Sequence, residues 1–210
     1  MSKKIIITVA RQYGSGGREI GERVAELLNI PIYDKQLITD AAAKGNLNED
    51  VIRGADESAA NSLLYTLAMG SNHYGAAMHF GYKMPLNDKL FILQSEVIKE
   101  YAAEGSCVII GRCADYVLRD DHDVFRLFIY GDLEHRQERV KQRHPEIKPS
   151  QIIDVINKTD KRRASYYNFY TGNKWGKFDN YDMAINSSTL GIEGSAQVIA
   201  ASVRKLIDEE

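Results

Sequence analysis

Gly14, Ser15, Gly16 and Gly17 stand between an apolar β-branched run, Ile5 to Ala10, and a segment of helical period that begins near Arg18. Where a strand turns into a helix, unpaired backbone N–H groups and the helix dipole together make an anion site. Phosphate is the natural ligand. Glycine suits the position because the backbone must turn through positive φ and approach the ligand with no Cβ in the way. A tight turn that binds nothing would use the same glycines, but it leaves Arg18 unexplained. A cation in the first turn of a helix opposes the positive end of the dipole, and an anionic partner offsets that cost. The expected phosphate-binding set is therefore Gly14, Ser15, Gly16 and Gly17, with Arg18 as its cation.

A P-loop reads G-x-x-x-x-G-K-[ST], and residues 11 to 18 read R-Q-Y-G-S-G-G-R. Only Gly16 agrees at a defining position. Arg11 stands where the first glycine belongs, Gly17 where the lysine belongs, and Arg18 where the magnesium-binding hydroxyl belongs. The fork of Arg18 would replace the missing lysine. Magnesium use is expected with no protein ligand identified, since Ser15 is out of register for that role. A dinucleotide fingerprint competes through Gly14-x-Gly16 and the later Asp34. It breaks at Glu19, and Arg11, Gln12 and Tyr13 lengthen the gap between strand and glycine as a phosphate loop requires. Tyr170 to Lys174 spells Y-x-x-x-K, without the glycine spacing of a dehydrogenase upstream.

Transfer of a phosphoryl group asks for cations converging from several segments onto the transferred oxygens. Arg112 follows the run Cys107 to Ile110, at the carboxyl end of a strand, where open α/β sheets bind ligands. Arg136 to Arg163 holds nine Lys and Arg against four Asp and Glu, and Pro145 and Pro149 break it into two helices. The bland reading of these charges is a solvated helical face, and that of Asp34 is a cap for a helix starting at Lys35. His73 and His79 are six apart, which is not helical metal spacing, so no metal site is expected. Cys113 reads as a small buried residue, and Tyr166, Tyr167, Phe169 and Tyr170 as helix packing. Asn186, Ser187 and Ser188 form either a turn or a contact to a base edge.

Short β-branched runs alternate with longer helical segments, the pattern of a parallel sheet with helices on both faces. Ile5 to Ala10 reads as the central strand. Pro31 to Tyr33, Cys107 to Ile110, Val124 to Tyr130 and Tyr181 to Ile185 complete about five. Ile20, Val24, Leu27 and Leu28 give a helix ending before Asn29; Leu90, Leu93, Val97 and Tyr101 give another. Val198 or Ile199, with Val203 and Leu206, gives the last. Gly70 to Pro85, rich in Gly, Met, His and aromatics, reads as a loop or flap.

The 210 residues suit one domain, and 44% hydrophobic with 27% charged residues suits a globular one. A net charge of −2 argues against a whole-surface nucleic-acid binder. Two cysteines make no disulfide framework, and the apolar run after MSKK stops at Arg11, too short for a secretory or membrane-spanning segment. The expected location is the cytoplasm, with no membrane partner.

The stretch ITVARQYGSGGREIGERVAELLNIPIYDKQLI resembles the start of the cytidylate kinase-like family, P-loop nucleoside monophosphate kinases with a divergent glycine loop. The resemblance continues through IIGRCADYVL, FIYGDLEHRQERV, DKRRASYY and YDMAINSSTLGIE. It implies a single P-loop kinase domain over residues 1–210, with an acceptor-side insert at about 35–88 and an arginine-bearing lid at about 132–170. By matching, Arg139 or Arg143 on the first lid helix and Arg163 on the second are the lid arginines that would join Arg18 in catalysis. Arg112 looks like the arginine of a Gly-Arg-Asp motif that grips the acceptor phosphate, with Cys113 where the Asp is expected. Asp34 resembles the acidic residue at the mouth of the acceptor site.

The expectation is an ATP-dependent kinase of a nucleoside monophosphate, CMP or dCMP first. The alternatives are a nucleotide-binding regulatory module with weak or no catalysis, and a phosphotransferase for another small acceptor.

Overall fold

The structure is a computed structural model and describes residues 4–47, 85–121 and 123–208. Five strands form one parallel sheet: β1 (Ile6–Arg11), β2 (Ile32–Tyr33), β3 (Cys107–Ile110), β4 (Val124–Tyr130) and β5 (Met183–Asn186), in the order β2-β3-β1-β4-β5. β1 is central because every residue from Ile6 to Ala10 is buried, so both of its faces need cover. Its register sets Ile6 beside Cys107 and Val124, and Val9 beside Ile110 and Leu127. The β-branched runs supply the sheet, and the segments between them are long enough to cross over it.

Helix α1 (Gly17–Leu28) starts at a left-handed Gly16 and stops at a left-handed Asn29, the ending that its stripe and Asn29 predict. It packs beside α7 (Ser187–Asp208), whose two helical segments meet at Gly191, φ 66°. Ile7 and Val9 of β1 and Val108 and Ile110 of β3 face this layer, with Ile199 and Val203. Ile6, Cys107 and Ile109 face the opposite one, formed by α2 (Lys35–Lys44), α3 (Leu86–Glu104) and α4 (Ala114–Val117). Alternation along a strand thus feeds two cores. Helices α5 (Leu133–Arg143) and α6 (Ile152–Thr171) flank the carboxyl ends of the central strands and are joined through a short 3₁₀ turn at Pro149–Gln151.

Several details differ from the sequence reading, beginning with β1, which runs one residue later at both ends, Ile6–Arg11. The last strand begins at Met183, because Tyr181 donates its N–H to Phe178 in a 3₁₀ turn and so leaves the ladder. β2 keeps only Ile32 and Tyr33; Pro31 has no N–H to give, though its carbonyl accepts from Val108. In α7 the core stripe is Ile199 and Val203; Val198 and Leu206 are exposed, and Ile207 packs inward instead. The expected flap lies outside the described residues except for Pro85, which caps α3. No helix among the described residues is long and apolar enough to cross a membrane.

Candidate active site

The connection from β1 leaves toward β2, whereas that from its neighbour β4 leaves toward β5, so a crevice opens at their carboxyl ends. The loop Gln12 to Gly16 lies there and is tied down from below. The Ser15 hydroxyl is fully buried and lies 2.9 Å from the Gln12 carbonyl and 3.2 Å from that of Ile129. Its N–H donates to Gln12 as well. The Gln12 side chain accepts from Gly131 at 3.1 Å. Ser15 therefore anchors the loop to β4, and its side chain does not line the crevice.

The loop is also clamped from the side. Asp160 on α6 accepts from the Tyr13 N–H at 2.7 Å and pairs with Arg136 at 2.5 Å, and Arg136 donates to the Tyr13 carbonyl at 3.1 Å. Arg136 is 6% exposed. This buried pair fixes the loop to both helices of the expected lid. Gly14 must be glycine here: at φ 79° a Cβ would lie 2.8 Å from the Arg136 carbonyl.

Above the loop lies a cleft of about 640 Å³ lined by Gly14, Gly16 and Gly17, by Arg11, Arg18, Arg139, Arg143 and Arg163, and by Glu19 and Glu22. The first amides of α1, which have no carbonyl of their own helix to bond, open into its floor. Five arginines from four elements thus converge on one helix N-terminus. Each is held by a local partner. Arg18 Nε lies 3.1 Å from Glu22 and 3.0 Å from Asp34. Arg139 and Arg143 of α5 both pair with Glu19 of α1. Arg163 donates to the Arg11 carbonyl at 3.1 Å and lies over the Tyr13 ring at 5.7 Å. Burial lowers the Arg139 pKa from its ordinary value, and its Nε is buried with no hydrogen-bond partner.

Asp34 makes no side-chain cap to α2; it is the partner of Arg18. Arg112 sits apart, in an adjoining pocket of about 30 Å³ with Cys113, Asp115, Tyr166, Tyr167 and Trp175. Arg11 and Arg163 line both spaces. Gly111, Arg112 and Cys113 take φ of 72°, 59° and 55°, a run in the left-handed region that is strained for the two non-glycines. Arg112 is 9% exposed, and burial pushes its pKa down, with Tyr166 and Asp34 acting against that. Burial raises the Asp115 carboxyl, which accepts from the Tyr167 hydroxyl at 2.7 Å.

The structure thus brings Gly14, Gly16, Gly17, Arg18, Arg139, Arg143 and Arg163 to one cleft, with Asp34 beside Arg18 and Arg112 next door. Sequence reasoning missed Arg11, Glu19 and Asp115. Arg11 had a signal, its place at the first glycine of the loop pattern. Glu19 and Asp115 had none. Cys113 is buried, and Tyr166 and Tyr167 pack against it. Asn186 ends β5 and Ser187 and Ser188 open α7; they bond to Asp132, Tyr130 and His135, which ties this junction to the end of β4 and the start of α5.

Among the described residues no group of three His, Cys, Asp or Glu could hold a metal. The loop hydroxyl of Ser15 is used by β4, position 18 is arginine, and Glu19, Glu22 and Asp34 are each paired with arginine. A protein magnesium site of the P-loop kind does not fit these donors.

The model of the cytidylate kinase-like family matches residues 6–189. No curated protein matches the sequence. The solved structure of an uncharacterized protein from Eubacterium ventriosum is 26% identical, with a TM-score of 0.68 over 99% of this chain and 100% of that one. Shikimate kinase from Bacteroides thetaiotaomicron is 15% identical, with a TM-score of 0.53 over 96% and 99%. A gluconokinase from Sinorhizobium meliloti is 15% identical, with a TM-score of 0.50 over 99% and 96%. The last two likenesses show the fold of P-loop kinases.

Proposed function

The chain belongs to the cytidylate kinase-like family, and from that premise we propose that it is a cytoplasmic kinase that moves the γ-phosphoryl group of ATP to a nucleoside monophosphate, CMP or dCMP first. The observation that carries this reading is the cleft itself, where a glycine loop at a helix N-terminus meets five arginines. That is what a triphosphate needs and what a dinucleotide's single ribose contact does not.

In this reading the donor phosphates lie on Gly14, Gly16 and Gly17. An anionic oxygen of the acceptor phosphate attacks the γ-phosphorus. The bond from that phosphorus to the β,γ-bridging oxygen breaks, and its electron pair leaves on ADP. The acceptor oxygen carries no proton that must be removed, so no general base is invoked. Arg139, Arg143 and Arg163 spread over the transferred oxygens and exclude water. Arg112, at the carboxyl end of β3, holds the acceptor phosphate, and Asp34 orients the acceptor at its mouth. Magnesium would enter on the nucleotide's own phosphates.

The test is ADP formation from magnesium ATP with CMP, dCMP, UMP, AMP and GMP in turn, against an acceptor-free blank. Turnover is expected with CMP or dCMP above the others. ATP binding with every acceptor at the blank rate would refute the reading and leave a binding module or another acceptor.

A further inference from the structure

The loop departs from the P-loop pattern at two positions that the fold brings into contact. Arg11 ends β1 and Gly17 opens α1. A Cβ at position 17 would lie 2.5 Å from the Arg11 Cβ, 3.1 Å from its Cγ and 3.2 Å from the Ile129 Cβ. The Arg11 side chain therefore fills the space into which a side chain at 17 would project. Its far end reaches Gly111, where a Cβ would collide with Nη1 and lie 3.1 Å from Cζ. At 17 the obstacle is the fixed stem of Arg11; at 111, where φ is 72° and already favours glycine, it is the guanidinium end.

Arg11 thus runs from the loop, past the N-terminus of α1, to the carboxyl end of β3. It borders the large cleft on one side and the Arg112 pocket on the other. On the kinase reading, that junction lies between the donor phosphates and the arginine that holds the acceptor. Arg163, which also borders both, is bonded to the Arg11 carbonyl, so the two arginines are held as a pair. Arg18 is differently placed. It lines the large cleft but not the Arg112 pocket, and its Nε lies on Glu22 and Asp34.

We propose that Arg11 is the phosphate-coordinating cation of this loop, and that the glycine and the lysine of the P-loop pattern have exchanged places. Position 11 carries the charge that position 17 carries in the pattern, and position 17 carries the glycine. A lysine at 17 projects its charge from the helix start, whereas an arginine at 11 delivers it from the strand end to the same space. The identity of the ligand as a nucleotide rests on the kinase reading; the cation's role toward polyphosphate does not.

The experiment is calorimetric titration with magnesium ATP and, separately, inorganic tripolyphosphate. The proteins are wild type, Arg11→Ala, Arg11→Gln, Gly17→Lys and the double variant Arg11→Gly with Gly17→Lys, each checked by thermal melting. Loss of a charge-assisted contact to phosphate is expected to weaken both ligands about 10- to 100-fold in Arg11→Ala and Arg11→Gln. Gly17→Lys alone also weakens them, because its side chain displaces Arg11. The double variant, in which the Arg11 stem no longer blocks position 17 and only the 3.2 Å approach to the Ile129 Cβ remains, recovers most of the loss. If Arg11→Ala does not fold, Arg11→Gln and the double variant decide the matter. Unchanged affinity in the folded Arg11 variants overturns the proposal, and a double variant as weak as its two single losses combined overturns the exchange. Tripolyphosphate binding that depends on Arg11, with no ADP formed from any acceptor, keeps the cation and sinks the kinase reading. Binding of neither ligand by wild type sinks both.

Discussion

Glu19 is the acid that the cleft sets against its own arginines. It stands in the first turn of α1, lines the cleft and pairs with Arg139 and Arg143. A triphosphate on this helix N-terminus would carry about four negative charges and need the same arginines. Glu19→Gln removes one negative charge from the binding space. At about 7 Å, with the dielectric of water giving a lower bound, each pair of unit charges is worth about 0.6 kcal/mol before salt screening. Over the triphosphate the relief comes to ~1–2 kcal/mol. The helix loses a favourable first-turn acid and two ion pairs, and the carboxylate is 24% exposed, so the pairs are worth about 1 kcal/mol or less each. Expected, then, is ATP binding tighter by about 5- to 30-fold in calorimetry at low salt, with a melting temperature a few degrees lower. The gain should shrink at high salt. Weaker ATP binding in a folded Glu19→Gln protein would refute the reasoning and make Glu19 a ligand-side residue.

Asp160→Ala leaves the 6%-exposed Arg136 charged without its partner and frees the Tyr13 amide, so urea unfolding should show a loss of about 3–5 kcal/mol. ATP affinity should fall with it, because the loop loses its clamp. Ser15→Ala should cost about 1–2 kcal/mol in the same assay while leaving the ATP KM within a few-fold, since the hydroxyl serves the Gln12 and Ile129 carbonyls; a large KM rise with intact stability would make it a phosphate ligand. Cys113→Asp, which restores Gly-Arg-Asp, should lower the melting temperature and leave the acceptor KM no better. Position 113 is 5% exposed and shares its pocket with the buried Asp115, so a second carboxylate there has no solvent and meets a like charge. A stable variant with a lower acceptor KM would contradict this.

The strands were legible because burial on both faces leaves an unmistakable run: Ile6 to Ala10 and Cys107 to Ile110 are apolar apart from Thr8, and turn residues punctuate both. The first helix was legible to its last residue because Asn29 can take φ 53° and end it. The last strand was not, since Tyr181 carries a strand-forming side chain, yet its N–H goes to Phe178 in a 3₁₀ turn. The glycine loop announced a phosphate site by position alone. What its sequence concealed was which side chain enters which space. Arg18 adjoins the loop in sequence, but a helix turns it toward Glu22 four residues on; Arg11 is six residues from Gly17 and Gly111 one hundred from Arg11, and only the parallel register of β1 with β3 brings the three together. Asp115 was hidden for the same reason, since its burial comes from Tyr167 on a helix that follows it by some fifty residues.

An acidic chain can hold a strongly cationic cleft because three of its five arginines carry carboxylate partners of their own. The net charge of −2 therefore says nothing against a polyanionic ligand. Arg18 rests on Glu22 and Asp34, Arg139 and Arg143 on Glu19, with side-chain exposures from 20% to 59% among these arginines. Ion pairs this exposed are worth about 0–1 kcal/mol apiece, so giving up all four costs no more than roughly 4 kcal/mol. Charge-assisted bonds to phosphate return about 1.5–3 kcal/mol each, and a triphosphate offers several oxygens to every guanidinium. The carboxylates are thus weak enough to yield to the ligand and strong enough to keep the arginines gathered without it. The buried Arg136–Asp160 pair is the opposite case: with both members largely out of solvent, it stays closed and keeps the loop in place while the exposed pairs exchange.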